Sequence, residues 1–171
     1  MKKYFQFSET ISGTTYFLRM LFAILLSVPG LIVFISFVAN YLTSSGLVDM
    51  SDPSFDQTAF QESIQENPEE FMETMLSSMT SNWIIALAIS FVPTIWFNLA
   101  SSYKRISALF FENRKNIFAI LVGFELISNA TGLGVLPILS SLSTPFSILS
   151  LIISLFLIFK NSEIDKDDHE G

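Results

Sequence analysis

Apolar residues in this chain gather into long stretches that are almost free of charge. No Asp, Glu, Lys or Arg occurs in residues 20–48, 74–103 or 126–159. A soluble domain places charged side chains on the outer face of each element, whereas a helix surrounded by lipid does not. A helix needs about 20 predominantly apolar residues to cross a hydrocarbon core. The pattern therefore predicts membrane-spanning helices and argues against a soluble domain.

The stretches predict an all-α polytopic membrane protein with four transmembrane helices and an extracytoplasmic helical loop. In chain order the predicted segments are a cytoplasmic N-terminal segment (1–15), TM1 (16–42), the extracytoplasmic acidic helical loop (43–82), TM2 (83–100), a basic cytoplasmic loop (101–116), TM3 (117–139), TM4 with a short outer turn (140–159) and an acidic cytoplasmic tail (160–171). TM1 is too long, and starts too far into the chain, for a cleaved signal peptide. We therefore interpret it as a retained span.

The loop 43–82 contains eight acidic residues and no Lys or Arg. Asp52-Pro53 and Asn67-Pro68 each place a capping side chain before a proline, which predicts two helix starts. After the second start, apolar residues recur at helical spacing: Phe71, Met72, Met75, Leu76 and Met79. The carboxylates lack the alternating pattern of a calcium-binding loop. The loop is thus predicted to hold two short amphipathic helices with solvated acidic faces and no metal.

The basic residues predict the orientation of the spans. If the N-terminus is cytoplasmic and the chain crosses four times, all nine Lys and Arg residues fall on the cytoplasmic side. The acidic loop then falls on the other side. Short loops rich in Lys and Arg stay in the cytoplasm, and acidic residues contribute little to orientation. Both termini are therefore predicted to be cytoplasmic.

Composition narrows the chemistry that the chain can perform. Half of the 171 residues are hydrophobic, only 15% are charged, and the mean hydropathy is +0.52. The absence of Cys excludes disulfides, thiolate metal sites and a cysteine nucleophile. The motifs of hydrolases, zinc proteases and nucleotide-binding loops do not occur. We expect no catalytic residue, cofactor or metal ion.

Glu125 is the one acidic residue within a predicted span. It lies about 12 Å from the cytoplasmic end of TM3. A bare charge at that depth costs roughly 2.5 kcal/mol or more, so Glu125 should face protein, water or a partner. Arg19, Asn98 and Asn129 are predicted to complete a polar cluster with it. A proton- or cation-linked site and a structural ion pair or hydrogen-bonded carboxyl both stay open.

The predicted loop 101–116 holds the densest group of basic residues, which we interpret as contacts to lipid headgroups or to a cytoplasmic partner: Lys104, Arg105, Arg114 and Lys115. Topology alone also explains cations at this place. A nucleic-acid partner is not expected, because no folded basic face accompanies the loop.

Two segments carry a resemblance to a known family. Residues 7–17, FSETISGTTYF, resemble the F-x-G-R-I-S-R-x-x-Y/F-W motif of a bacterial family called domain of unknown function 805, or YhaH-like. Lys104-Arg105-Ile106 resembles the K/R-R-L-H-D motif of the same family. The resemblance implies a multi-pass protein of the bacterial inner (cytoplasmic) membrane. The chain departs from the family pattern at several positions: Thr10 and Gly13 replace arginines, Ser107 and Ala108 replace His and Asp, and Asn161-Ser162-Glu163 replaces a Gly- and Asn-rich tail motif. Any activity of that His and Asp is not expected here.

Together these features favour a non-enzymatic membrane subunit or accessory protein. Its expected partners are the lipid bilayer and either another membrane protein or further copies of the chain. The alternative is a small transporter or channel element that uses the intramembrane Glu125. An enzyme acting on lipid ranks third, because paired acid and base residues are missing near the predicted interfaces.

Overall fold

The computed structural model describes residues 2–7, 9–46, 67–132 and 137–162. Within these residues every regular element is helical, which confirms the all-α part of the predicted fold class. The α-helices are α1 (Gly13–Ser44), α2 (Pro68–Ser77), α3 (Ser81–Leu109), α4 (Arg114–Gly132) and α5 (Ser143–Phe159). Short 3₁₀ helices cover Lys2–Phe5 and Pro137–Leu142.

Helices α1 and α3 are long and apolar enough to cross a membrane. They contain 32 and 29 residues and are about 48 and 43 Å long, against a hydrocarbon core of about 30 Å. Only 17% and 22% of their most apolar windows are buried inside the chain. Helix α5 is similarly apolar but shorter, with 17 residues. By length and composition, the described residues therefore contain two helices that qualify as spans.

Helix α3 runs nine residues beyond the predicted end of TM2 at residue 100 and ends at Leu109. A four-residue turn, 110–113, then leads to α4. The predicted basic loop 101–116 is therefore much shorter than expected. The physical reason is burial, because every residue from Lys104 to Leu109 is buried. Packing, rather than contact with water, surrounds the polar end of this helix.

The chain divides into two compact units, one formed by Met1–Leu25 with Thr94–Gly171 and the other by Leu26–Pro93. The first unit has its core where the start of α1 meets the ends of α3 and α5. The buried members of this core are Ile11, Tyr16, Ile106, Leu109 and Leu157. Helix α4 packs on this side against α5 and against the 3₁₀ helix that precedes α5.

The second unit holds the later part of α1, the helix α2 and the first part of α3. Phe37 packs edge-on against Trp83, with 5.7 Å between ring centroids. Gly30 lies against the ring of Phe91, where a Cβ atom would come within 2.5 Å of the ring. Close helix packing at this level therefore requires glycine in α1.

The predicted helix start at Asn67-Pro68 is confirmed, because α2 begins at Pro68 with proline in its first turn. The apolar residues of its amphipathic face are only partly buried. Met75 is buried and Phe71 packs on Tyr41 at 6.1 Å between centroids, while Met72 and Leu76 are exposed. The helix predicted to begin at Asp52-Pro53 lies outside the described residues.

Candidate functional site

Arg105 is the most heavily engaged polar side chain of the first unit. It lies near the end of α3 and is 1% exposed, and its neighbour Lys104 is 0% exposed. An unpaired charge is costly to bury, so its environment must supply hydrogen-bond acceptors. The surroundings of Arg105 therefore show what this part of the fold is built to hold.

The guanidinium group of Arg105 is surrounded by oxygen acceptors from both ends of the chain. Its Nε donates to the carbonyl oxygen of Leu157 at 2.5 Å. Its Nη1 donates to the carbonyl of Ile11 at 3.2 Å and to Oγ of Ser162 at 2.7 Å. Its Nη2 donates to the carbonyl of Lys160. All four acceptors are uncharged groups.

These contacts place a cation at the C-terminal end of α5. The last carbonyls of a helix lack intrahelical partners and carry a partial negative charge of about half an elementary charge. Leu157 lies in the final turn of α5, and Lys160 is the C-cap residue that follows it. Arg105 thus satisfies orphan carbonyls of α5 while it also binds Ile11, just before α1. One side chain joins three segments that are far apart in sequence.

Gly13 makes this close approach possible. A Cβ atom at residue 13 would lie 2.0 Å from the carbonyl oxygen of Ile158 and 3.2 Å from Nη2 of Arg105. The first of these contacts is with backbone, which cannot rotate away. The first turn of α1 therefore packs against the last turn of α5 with no room for a side chain.

The segment before α1 is held in place by a hydrogen bond from an indole N–H of α3 and by edge-on contacts between aromatic rings. Nε1 of Trp96 donates to the carbonyl oxygen of Phe5 at 2.9 Å. The ring of Phe7 makes edge contacts with Trp96, Tyr103 and Phe118, at 5.3, 5.5 and 6.1 Å between centroids. The N-terminal segment, predicted simply as cytoplasmic, is thus an integral part of the packing of the first unit.

Of the four residues of the predicted polar cluster, Glu125 and Asn129 are joined by a hydrogen bond. Glu125 is half-buried, and its Oε1 accepts a hydrogen bond from Oγ of Ser150 on α5 at 2.7 Å. Asn129 donates to the backbone carbonyl of Glu125, one turn earlier on α4. Arg19 is buried and lies over the ring of Tyr4, with its Cζ 5.1 Å from the centroid. Asn98 is exposed.

The four residues predicted to contact lipid headgroups differ in their exposure. Lys104 and Arg105 are buried, so their side chains are not available to a lipid headgroup in this structure. Arg114 is half-buried and Lys115 is exposed. Burial of the first pair follows from the extension of α3 into the core, which the charge pattern alone did not indicate.

Sequence reasoning missed the acceptors of Arg105 and the partner of Glu125. The acceptors are mostly backbone carbonyls, and no residue type marks a carbonyl as a ligand. Ser150 is one of several serines in an apolar stretch, so its position gave no signal. The resemblance did mark both Arg105 and the segment that contains Ile11, and these two meet in the structure.

No protein-family model, curated protein or solved structure matches this chain.

Proposed function

We propose that the chain is a four-span integral membrane protein that acts without catalysis, as a subunit or accessory protein packed against other membrane proteins. The observation that carries the proposal is the inverted polarity of the first unit. Ile120 and Leu126 on α4 are 73% and 67% exposed, while Lys104 and Arg105 are buried. In water, exposed apolar surface and buried cations are both unfavourable. Lipid around the helices removes the first cost.

The exposed apolar surface continues over α4 and α5, which supports four spans. Helix α4 has 19 residues, about 29 Å. Helix α5 has 17 residues, about 26 Å, and follows directly on the 3₁₀ helix Pro137–Leu142. A helix slightly shorter than a core of about 30 Å is accommodated by local thinning of the bilayer or by snorkelling of the flanking residues.

The orientation follows from the cations at one end of the first unit. Arg105 binds the carbonyl of Lys160, and the turn 110–113 with Arg114 lies next to the core residue Leu109. By the positive-inside rule this end faces the cytoplasm, together with both termini. A bacterial inner-membrane location and membership of the domain of unknown function 805 family belong to the same proposal. The contact between the two motif segments, through Arg105 and Ile11, supports it.

The non-enzymatic part of the proposal rests on how the polar groups are used. The donors of Arg105 bind oxygens within the chain. The Glu125 carboxylate accepts a bond from Ser150. These groups hold helices together instead of converging on a substrate-sized space.

Single-cysteine labelling tests the topology, because the chain has no native Cys. Thr80→Cys, before α3, and Glu112→Cys, after it, are both exposed positions. With a membrane-impermeant maleimide on intact cells, we expect Thr80→Cys to react and Glu112→Cys to react only after lysis. Equal labelling of both before lysis contradicts the topology, as does recovery of the chain in the soluble fraction without detergent.

Purification in mild detergent tests the accessory role. We expect a membrane protein to copurify at fixed stoichiometry, as identified by mass spectrometry. Purification of the chain as a homo-oligomer, with no other protein present, contradicts this role and favours the second candidate.

The second candidate is a small transporter or channel element that uses Glu125. The half-buried carboxylate between two helices, bonded to Ser150, favours it, because ionisable groups within spans often mark ion pathways. This candidate predicts that Glu125→Gln abolishes proton flux in proteoliposomes containing a pH-sensitive dye. Gln keeps an oxygen acceptor for Ser150, so folding should survive.

Glu125→Leu serves as the structural control, since it removes the acceptor as well as the charge. The accessory role instead predicts no specific flux, an unchanged melting temperature for Glu125→Gln and a lower one for Glu125→Leu. Flux that persists unchanged in Glu125→Gln excludes the transporter.

A further inference from the structure

The basic residues after residue 100 fall into a buried pair and an outer pair. Lys104 and Arg105 lie inside the first unit. Arg114 and Lys115 lie just beyond the turn 110–113, at the surface. The hydrogen bonds of Arg105 explain its burial, whereas Arg114 is half-buried and Lys115 is exposed.

The outer pair lines a surface cavity of about 430 Å³, formed by six consecutive residues: Phe111, Glu112, Asn113, Arg114, Lys115 and Asn116. The guanidinium carbon of Arg114 lies 4.3 Å above the centroid of the Phe111 ring. A cation–π contact of this kind orients the guanidinium group. Glu112 contributes a carboxylate to the same lining, so two cations and one anion face the cavity region.

The cavity lies at the end of the first unit that also carries Lys160. Phe110 stacks on Phe156 at 6.3 Å between centroids, which places the turn 110–113 beside the end of α5. At this end an exposed phenylalanine twice accompanies a cation: Phe111, 56% exposed, with Arg114, and Phe159, 77% exposed, with Lys160. Phenylalanine together with Lys or Arg is typical of amphipathic segments that lie at the boundary between headgroups and acyl chains.

We propose that the cavity lined by residues 111–116 binds the phosphate of an anionic phospholipid headgroup. This inference rests on the proposed membrane location of the chain. Arg114 matches a phosphate with two parallel N–H donors, and Lys115 adds a point charge. The amides of Asn113 and Asn116 supply donors and acceptors for the polar groups around the phosphate. The exposed Phe111 ring contacts the first carbons of the acyl chains.

A lipid is favoured over a soluble anion because the site combines charge with apolar surface. A phosphate ion makes no apolar contact with the exposed Phe111 and Phe159 rings, whereas a lipid contacts the cations with its phosphate and the rings with its acyl chains. The polar and apolar surfaces thus have one complementary occupant.

Native mass spectrometry of the detergent-purified full chain tests the proposal. After reconstitution into nanodiscs of phosphatidylcholine with added phosphatidylglycerol, we expect the extracted protein to retain phosphatidylglycerol preferentially. A basic residue near an anionic surface contributes about 1 kcal/mol, which corresponds to roughly fivefold in affinity. Arg114→Gln and Lys115→Gln should each lower the retained phosphatidylglycerol by about that factor.

Three variants serve as controls. Lys160→Gln removes one cation at the same end but outside the cavity, so we expect a smaller loss than for Arg114→Gln or Lys115→Gln. Lys115→Arg keeps the positive charge and should bind phosphatidylglycerol as the wild type does. Glu112→Gln should increase binding, because it removes a negative charge that repels the phosphate. The melting temperatures of these exposed variants should match the wild type.

Several outcomes overturn the proposal. Equal losses for Lys115→Gln and Lys160→Gln would show diffuse attraction without a built site. Full displacement of the lipid by inorganic phosphate would show that a free anion is the occupant. A chain that stays inserted in membranes but shows no lipid preference refutes the inference alone. A chain that carbonate extracts from membranes refutes the proposed function as well.

Discussion

Replacing Arg105 with Met should lower the free energy of unfolding by about 3 kcal/mol or more. Met fills much of the same volume but donates no hydrogen bond. The carbonyls of Ile11, Leu157 and Lys160 then lose their donor, and each buried orphan acceptor costs about 1–3 kcal/mol. Thermal unfolding in mild detergent, followed by circular dichroism, measures the effect.

Two further variants separate the geometry of Arg105 from its charge. Arg105→Lys keeps the cation but donates from a single point, so we expect an intermediate loss. Lys115→Met removes an exposed cation and should change stability by less than about 0.5 kcal/mol. Hydrogen exchange should rise first in residues 9–12 and 157–162, which Arg105 joins. If Arg105→Met melts with the wild type, the guanidinium does not hold these segments.

Gly13→Ala should destabilise the protein by about 2–3 kcal/mol, although Ala ordinarily favours a helix. The added Cβ would lie 2.0 Å from the carbonyl oxygen of Ile158. Helices α1 and α5 must separate to relieve the clash, and forced overpacking typically costs about 1–3 kcal/mol. The separation also lengthens the bonds of Arg105, which places the expected loss in the upper part of that range.

Gly123→Ala provides the matched control, because a Cβ at residue 123 meets nothing within 4 Å. There the same substitution should stabilise the protein by about 0.5–1 kcal/mol, through helix propensity alone. Opposite signs at the two glycines would confirm that tertiary packing sets the cost at Gly13. A stabilising Gly13→Ala would contradict the close approach of the two helices.

The two positions are coupled, because Gly13 and Arg105 act on the same contact between α1 and α5. In the double variant Gly13→Ala with Arg105→Met, the loss of stability should be smaller than the sum of the single losses.

The helical fold was accessible from the sequence because it depends on local pattern. Charge-free stretches and 3.6-residue spacing predict α1, α3, α4 and α5, and the Asn67-Pro68 pair predicts the start of α2. Helix α3 continues nine residues beyond the predicted end of TM2. Charge at residues 104 and 105 was read as a sign of an exposed loop, whereas burial against the N-terminal segment continues the helix.

The candidate site was only partly accessible. Glu125 stands out as an acid in an apolar stretch, but the pattern does not indicate that its carboxylate accepts a hydrogen bond from Ser150. Arg105 was singled out by motif and charge, but its carbonyl acceptors lie 94 and 52 residues away in the cases of Ile11 and Leu157. Such pairings arise when helices pack, and no local pattern encodes them.

Composition and periodicity are enough to predict a helical chain with lipid-compatible apolar stretches and with its cations gathered apart from its acidic loop, since backbone hydrogen bonds and solvent preference are local properties. Neither property indicates which cations are buried, or that Arg105 binds the end of α5 and the segment before α1. Burial depends on which surfaces meet, and that is set by packing between segments distant along the chain.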